Sequence, residues 1–425
     1  MATSQSFLCY TILIVLYLTI TRSHGLQSKN ATLVGESSIH NFPFPHDHDA
    51  HVGLWGWRFE EIGGFLTVAL FFLSACLAKI AYHNLDILHY HVPESCVLIV
   101  LGTVIGLLFH VLDYKEHLPF KSDDFLFILL PPIILESAYS LHDKAFFHNF
   151  KTILLYAVVG TLINVFLIGG SLYGLQRMGM FGAEITLIEC FTFSTIVSAV
   201  DPVAVLAIFH EIGVNKSLYF LVFGESLLND AVVIVLYGTV TTFAAMHTIS
   251  FMDFVMGIMS FFTVSGGGFI TGIIVGGVTA VLTKTTSNVR VVEPFIVIVL
   301  AYLSYVMAEL FHFSGIISLI ACGLVQYQYI ADNISTDSLT TIKYFVKTMS
   351  SISDVIIFFY LGRVLVRDDH TWSTSFIAFS ALFCVVYRFF STFVLTAVAN
   401  RFMQSLKRIS LAEQLIMAYG GESIR

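Results

Sequence analysis

The chain has 425 residues, 56% of them hydrophobic and only 12% charged, with a net charge of −8 and a mean hydropathy of +0.83. Soluble globular domains carry about twice that charged fraction, so this is the composition of a polytopic membrane protein. Its basic residues are dispersed and form no patch, which excludes a nucleic-acid partner.

In chain order, an apolar run over residues 7–20 is short for a spanning helix and has the size of a signal-peptide core. No Lys or Arg precedes Arg22, so residues 1–24 read as a signal peptide or an uncleaved signal anchor. Residues 25–60 form a polar, extracellular segment with a glycosylation sequon at Asn30-Ala31-Thr32. The run His46-Asp47-His48-Asp49-Ala50-His51 in that segment has no scaffold to fix metal ligands.

Apolar runs then predict membrane helices near 62–82, 95–112, 124–139, 150–175, 186–209, 218–243, 254–282, 294–311, 313–330, 344–366 and 373–399, with another beginning at Leu411. The loops are short, which predicts antiparallel neighbours in one bundle and no second soluble domain. Cys9, Cys76, Cys96, Cys190, Cys322 and Cys384 all fall within apolar runs and read as small buried hydrophobes. With residues 25–60 outside, the cytoplasmic side receives Lys79, Lys144, Lys151, Lys216, Lys284, Arg290, Lys343, Lys347, Arg401, Lys407 and Arg408. After the first span the outer side receives only Lys115, Lys121, Arg177 and Arg367, in keeping with the positive-inside rule. The sequons at Asn215 and Asn333 then face the cytosol and stay unmodified.

Several spans are interrupted. Leu130-Pro131-Pro132-Ile133 removes two backbone donors, so the third span must be kinked or short. Ser198-Ala199-Val200-Asp201-Pro202 sets a carboxylate before a helix breaker, either as a cap for a second half-helix or as the wall of a cation site made of freed carbonyls. Gly266, Gly267, Gly268, Gly272, Gly276 and Gly277 predict close helix packing.

The run from 218 to 243 carries Glu225, Ser226, Asn229 and Asp230 at membrane depth. A charged group there costs roughly 2.5–3.5 kcal/mol even on the translocon scale, and such groups usually mark a pathway. Glu225 with Asn229, and Ser226 with Asp230, fall on adjoining helix faces, offering oxygen ligands to a small hard cation. An intramembrane enzyme with Glu225 and Asp230 as acid and base lacks any nucleophile or metal-ligand motif. Further along lie Glu309, His312, Asp354, Arg363 and Arg388. Arg388 stays charged and needs a partner, for which Asp201, Glu225 and Glu309 all qualify. His312, near a helix end, is either structural or a pH sensor.

Leu129–Leu135, Leu154–Thr161, Ala199–Val205, Val222–Val232, Glu309–His312, Thr341–Tyr344 and Ala418–Gly421 together resemble the animal sodium/proton exchangers of the cation/proton antiporter superfamily. The resemblance runs from about residue 60 to 421, so residues 61–421 are expected to form one exchanger transmembrane domain. It implies an all-α antiporter bundle with discontinuous helices. It also implies electroneutral exchange of Na⁺ for H⁺ by alternating access, serving pH and sodium homeostasis without a cofactor. Na⁺ and H⁺ would alternate at Asp230, with Asn229, Asp201 and Glu225 in support and Glu309 and Arg388 as a charge network. Phe127, Leu130, Pro131 and Pro132 would lie in the region associated with amiloride-type inhibitors. A homodimer in the plasma membrane, rather than in an endosomal one, is expected.

Two departures stand out. Glu136-Ser137-Ala138-Tyr139 replaces the family's usual Asp-Ala-Gly-Tyr. After Gly420-Gly421 the chain reads Glu422-Ser423-Ile424-Arg425 where the family continues Leu-Arg-Gly-Ala. Residues 422–425 thus read as a divergent, truncated end that leaves the inverted repeat incomplete. The expectation is impaired transport, or a non-transporting form that pairs with full-length exchangers and modulates them.

Overall fold

The computed structural model describes scattered residues between 72 and 84, and residues 94–111, 122–181, 185–200, 209, 214–246, 250–286, 289–366, 373–402 and 408–420. The leader, the Asn30 sequon, the histidine run of residues 46–51, Asp201 and the end after Gly420 lie outside the described residues. Between His91 and the C-terminus every described element is helical: α1 (Glu94–Val111), α2 (Phe125–Ser140), α3 (Lys144–Arg177), α4 (Leu187–Val197), α5 (Lys216–Ala244), α6 (Phe251–Thr283), α7 (Glu293–Leu310), α8 (Gly315–Asn333), α9 (Thr336–Val364), α10 (Thr374–Phe402) and α11 (Leu411–Gly420).

Six of the helical segments are long and apolar enough to cross a membrane, a bilayer core needing about 20 residues. The spans predicted between 95 and 399 fall on helices α1 to α10, except that the one predicted over 186–209 is helical over Leu187–Val197 and lies mostly outside the described residues beyond Val200. The span predicted over 62–82 lies largely outside the described residues. Two starts are moved. Helix α3 begins at Lys144 rather than near 150, because Asp143 caps it by accepting from Ala145 N at 2.8 Å. Helix α9 begins at Thr336 rather than 344, where the Ser335 hydroxyl accepts from Ser338 N. Both extensions set charged or hydroxyl residues at the helix start, Lys144 in one and Thr336 to Ser338 in the other, which hydropathy alone assigns to loops.

The span that carries Pro131 and Pro132 is short, α2 falling among the shorter apolar helices. The two prolines stand at the start of the α-helical part of α2, after a π-helical stretch over Phe125–Leu129. In that stretch Leu130 N bonds to Phe125 O, five residues back. On the same spacing the prolines' missing N–H groups leave the carbonyls of Leu126 and Phe127 without donors. Two hydroxyls of α7 fill the gap: Tyr305 donates to Leu126 O at 2.9 Å and Tyr302 to Phe127 O at 3.0 Å.

The glycines of α6 build a seam against α8. A Cβ at Gly268 or Gly272 would overlap the backbone carbonyls of Ser314 and Ser318, and one at Gly276 would come within 2.9 Å of Val325. Helices α1 and α9 meet in the same way, Gly102 against the Phe359 carbonyl and Gly362 against that of Ile99. Small residues let backbones approach where lipid offers no hydrophobic drive for association. Gln326, fully buried on α8, ties four helices together. It accepts from Tyr139 Oη at 2.9 Å and donates to Thr279 Oγ1 and to the Val297 carbonyl.

Candidate functional site

Helix α5 starts at an Asn215 cap, which accepts from Ser217 N at 3.1 Å, and runs apolar for 29 residues. Most of its apolar stretch is buried inside the protein, whereas that of α6 is largely exposed. A polar set on α5 therefore faces protein, whereas on α6 it would face lipid. Glu225, Ser226 and Asn229 are buried, and Asp230 is half-buried.

The neighbouring helix α4 stops at Val197. Thr186 opens it with a capping box to Glu189, and Ser198 closes it. Ala199 and Val200 are no longer helical, so backbone carbonyls there have lost their intrahelical donors. Side chains of α5 supply them. Asn229 Nδ2 donates to the Ser198 carbonyl at 2.9 Å, and the Ser226 hydroxyl donates to the Val200 carbonyl. The expected discontinuity before Asp201 is thus present, and its freed carbonyls are held by α5.

Asn229 is fixed from the other side by α3. Its Oδ1 lies 3.0 Å from Thr161 Oγ1, which also reaches the Ala157 carbonyl at 2.6 Å. A second π-helical stretch, Leu155–Gly160, immediately precedes Thr161. Such stretches shift the register of side chains by one position and gather at functional sites. With both ends of its amide engaged, Asn229 has a single orientation, and that sets the backbone from which the Asp230 carboxylate projects.

Below this set lies a buried ion pair. Arg388 on α10 places Nη1 2.7 Å from Glu225 Oε1, and both residues are more than nine-tenths buried. Of the three carboxylates that the sequence allowed as partner, Glu225 makes this pair; Asp201 lies outside the described residues. Tyr156, in the π stretch of α3, lies within electrostatic reach of both charges and hydrogen-bonds with Thr396 of α10. Three helices thereby converge on the pair.

Glu309, expected with Arg388 in a charge network, fastens the turn between α7 and α8. At the end of α7 its Oε1 accepts from Gly315 N at 2.8 Å and closes the turn into α8. His312 occupies that turn, exposed, with a left-handed φ of 57°, a conformation in which histidine is enriched among non-glycine residues. The two residues share a hairpin turn whose reason is geometric: a Cβ at position 315 would come 2.8 Å from both Glu309 Oε1 and the Tyr305 ring. Phe127, Leu130, Pro131 and Pro132 lie together at the entry of α2, with Phe127 edge-on to Tyr305 at 6.1 Å. Thr396 and Gln326 went unremarked in the sequence, and Tyr156 and Thr161 figured there only as part of a family motif. The signal available for them was a hydroxyl or amide in an otherwise apolar span, which is weak, since such groups also bond within their own helix.

Residues 72–423 match the family described as the transmembrane domain of sodium/hydrogen exchangers. The chain is 46% identical over 385 residues to Na(+)/H(+) exchanger protein 7 of Caenorhabditis elegans, covering 88% of this chain and 49% of that protein. It is 45% identical over 355 residues to sodium/hydrogen exchanger 2 of Oryctolagus cuniculus, covering 83% and 44%. The Na(+)/H(+) exchanger beta of Oncorhynchus mykiss is 43% identical over 367 residues, covering 86% and 48%. The chain thus spans about half the length of the curated relatives it matches. In fold it is similar to the sodium proton antiporter MjNhaP1 of Methanocaldococcus jannaschii, with a TM-score of 0.61 at 19% identity over 84% of this chain and 82% of that one. Family match, relatives and helical architecture agree: this multi-pass membrane protein belongs to the sodium/hydrogen exchanger family.

Proposed function

We propose that this chain exchanges Na⁺ for H⁺ across a membrane as a secondary transporter, with Asp230 as the carboxylate for which both ions compete. The observation that carries the reading is the clamping of Asn229 between the Ser198 carbonyl and Thr161, which seats the adjoining Asp230 beside an interrupted helix. A carboxylate that takes Na⁺ only when it has lost its proton makes the two ions exclude each other, and exclusion couples their movements. The relatives named above are sodium/hydrogen exchangers, which are transporters and not enzymes. Asn229 is a neutral amide where a second acid would add a charge, so one Na⁺ moves for one proton and the cycle is electroneutral. Asp201, on the same interrupted segment, belongs to the ion site in this reading. A homodimer resident in the plasma membrane completes it.

The test is Na⁺-dependent recovery of intracellular pH after an acid load, in cells without endogenous exchangers. Asp230→Asn is expected to abolish recovery while surface expression is retained; recovery at the unaltered rate would refute the assignment. In proteoliposomes clamped at different membrane potentials, electroneutral exchange keeps one rate, and a potential-dependent rate would refute that part alone. Crosslinking and surface biotinylation of the full chain test the dimer and the plasma-membrane residence.

A further inference from the structure

We propose that ordered water is bound between α3 and α10 beside the Glu225–Arg388 pair, held by Asn164 Oδ1, Arg388 Nε and Thr392 Oγ1. All three atoms are buried and meet no hydrogen-bond partner among the described residues, and among these residues Glu225 Oε1 has its ion-pair contact alone. Their residues are deep in the protein: Asn164 is 4% exposed, Arg388 7% and Thr392 1%.

The helix register brings them to one level. Helices α3 and α10 run antiparallel: Tyr156 meets Thr396, Gly160 packs on Leu395, and Ser171 Oγ meets Tyr387 Oη at 2.6 Å. Residues 160, 164 and 171 share one face of α3, and residues 388, 392 and 396 share one face of α10. Asn164 therefore faces the stretch of α10 that carries Arg388 and Thr392. The mixture of groups selects the ligand. The guanidinium disfavours a cation, and the Glu225 carboxylate with the amide oxygen disfavours an anion. A water accepts from Arg388 Nε, donates to Asn164 Oδ1, and donates to or accepts from Thr392; buried waters characteristically bridge two to four such groups. The inference does not depend on the transport reading.

Hydroxyl-radical labelling by X-ray radiolysis of the full chain in nanodiscs tests it, because radicals formed from bound water label buried neighbours. Ile168, one turn after Asn164, is compared with Ile316, each 2% exposed, and Leu395, near Thr392, with Leu221, each 4% exposed. The expected result is labelling of Ile168 and Leu395 several-fold faster than of their matched residues. Asn164→Leu replaces the acceptor with methyl groups and is expected to remove the difference; Asn164→Ser keeps a hydroxyl and retains it. Equal labelling within the matched pairs, or a difference unchanged in a folded Asn164→Leu, would overturn the proposal. If Asn164→Leu fails to fold, the wild-type comparison decides alone.

Discussion

Replacing Arg388 with Met, a side chain of similar length, leaves Glu225 buried without its counter-charge. At the observed 2.7 Å separation, the gross attraction at an effective dielectric of 20 is on the order of 6 kcal/mol. Desolvation of both groups cancels much of it, so the loss on breaking the pair from one side is about 3–5 kcal/mol, most of it from the stranded carboxylate. Glu225→Gln in the same chain removes that charge, and the double variant is expected to regain about 2 kcal/mol or more over Arg388→Met. The assay is a double-mutant cycle on unfolding free energy by steric trapping in bicelles, with heating midpoints of the detergent-solubilised chain as a second measure. A coupling below about 0.5 kcal/mol, the level at which independent sites add, would refute the claim that the pair carries stability.

Tyr305→Phe strands the Leu126 carbonyl at a cost of about 1–3 kcal/mol. Pro131→Ala returns a backbone donor there, so the Tyr305→Phe loss in thermal stability should shrink in that background, and equal losses in both would contradict the π-stretch argument. Gly272→Ala forces α6 off the Ser318 carbonyl and should cost about 1–3 kcal/mol. Gly277→Ala, with open space around it, should stabilise by up to about 1 kcal/mol; matching heating curves for the two would dismiss the seam. His142 packs between Phe147 and Tyr327 on the turn into α3, its Nδ1 buried without a partner among the described residues, and Lys343 lies over the same Tyr327 ring. Burial pushes the imidazole below its ordinary value, against the opposing pull of Asp143. The unfolded chain then binds the proton more readily, so stability present above about pH 6.5 is lost as the pH falls through the folded value. His142→Phe should flatten that acid-side decline in melting temperature, and an unchanged decline would acquit His142.

Much of this arrangement was legible in the sequence, because apolar runs and breakers act locally. The run from 218 to 243 became α5 within two residues at its start and one at its end, and the Ser198–Pro202 stretch announced the end of α4. What stayed hidden depends on partners far along the chain. The prolines foretold a loss of donors, but not that Tyr302 and Tyr305 would replace them from α7. Arg388 demanded an acid, yet three qualified on charge, and nothing local to α10 announces its pairing with Glu225 of α5. Nor does the sequence motif around Glu309 announce the tight turn that its carboxylate fastens. Asn164 was passed over as one amide in an apolar helix, although an amide at membrane depth commonly marks a contact between helices.

The backbone contacts of α6 with α8 and of α1 with α9 have a mechanical consequence. Where a carbonyl lies against a glycine Cα, no layer of side chains remains to act as a bearing. Sliding or rolling one helix along the other would drive a branched side chain into a carbonyl within a single turn, and close-packed interiors yield little to such strain. Each pair therefore behaves as one stiff board. Compliance is left to junctions made through side chains, such as those of α5 with α4 and α3, where exchanging one hydrogen bond for another permits movement without opening a void. In this bundle the rigid joints are drawn in glycine, and the carboxylates of α5 stand among junctions made through side chains.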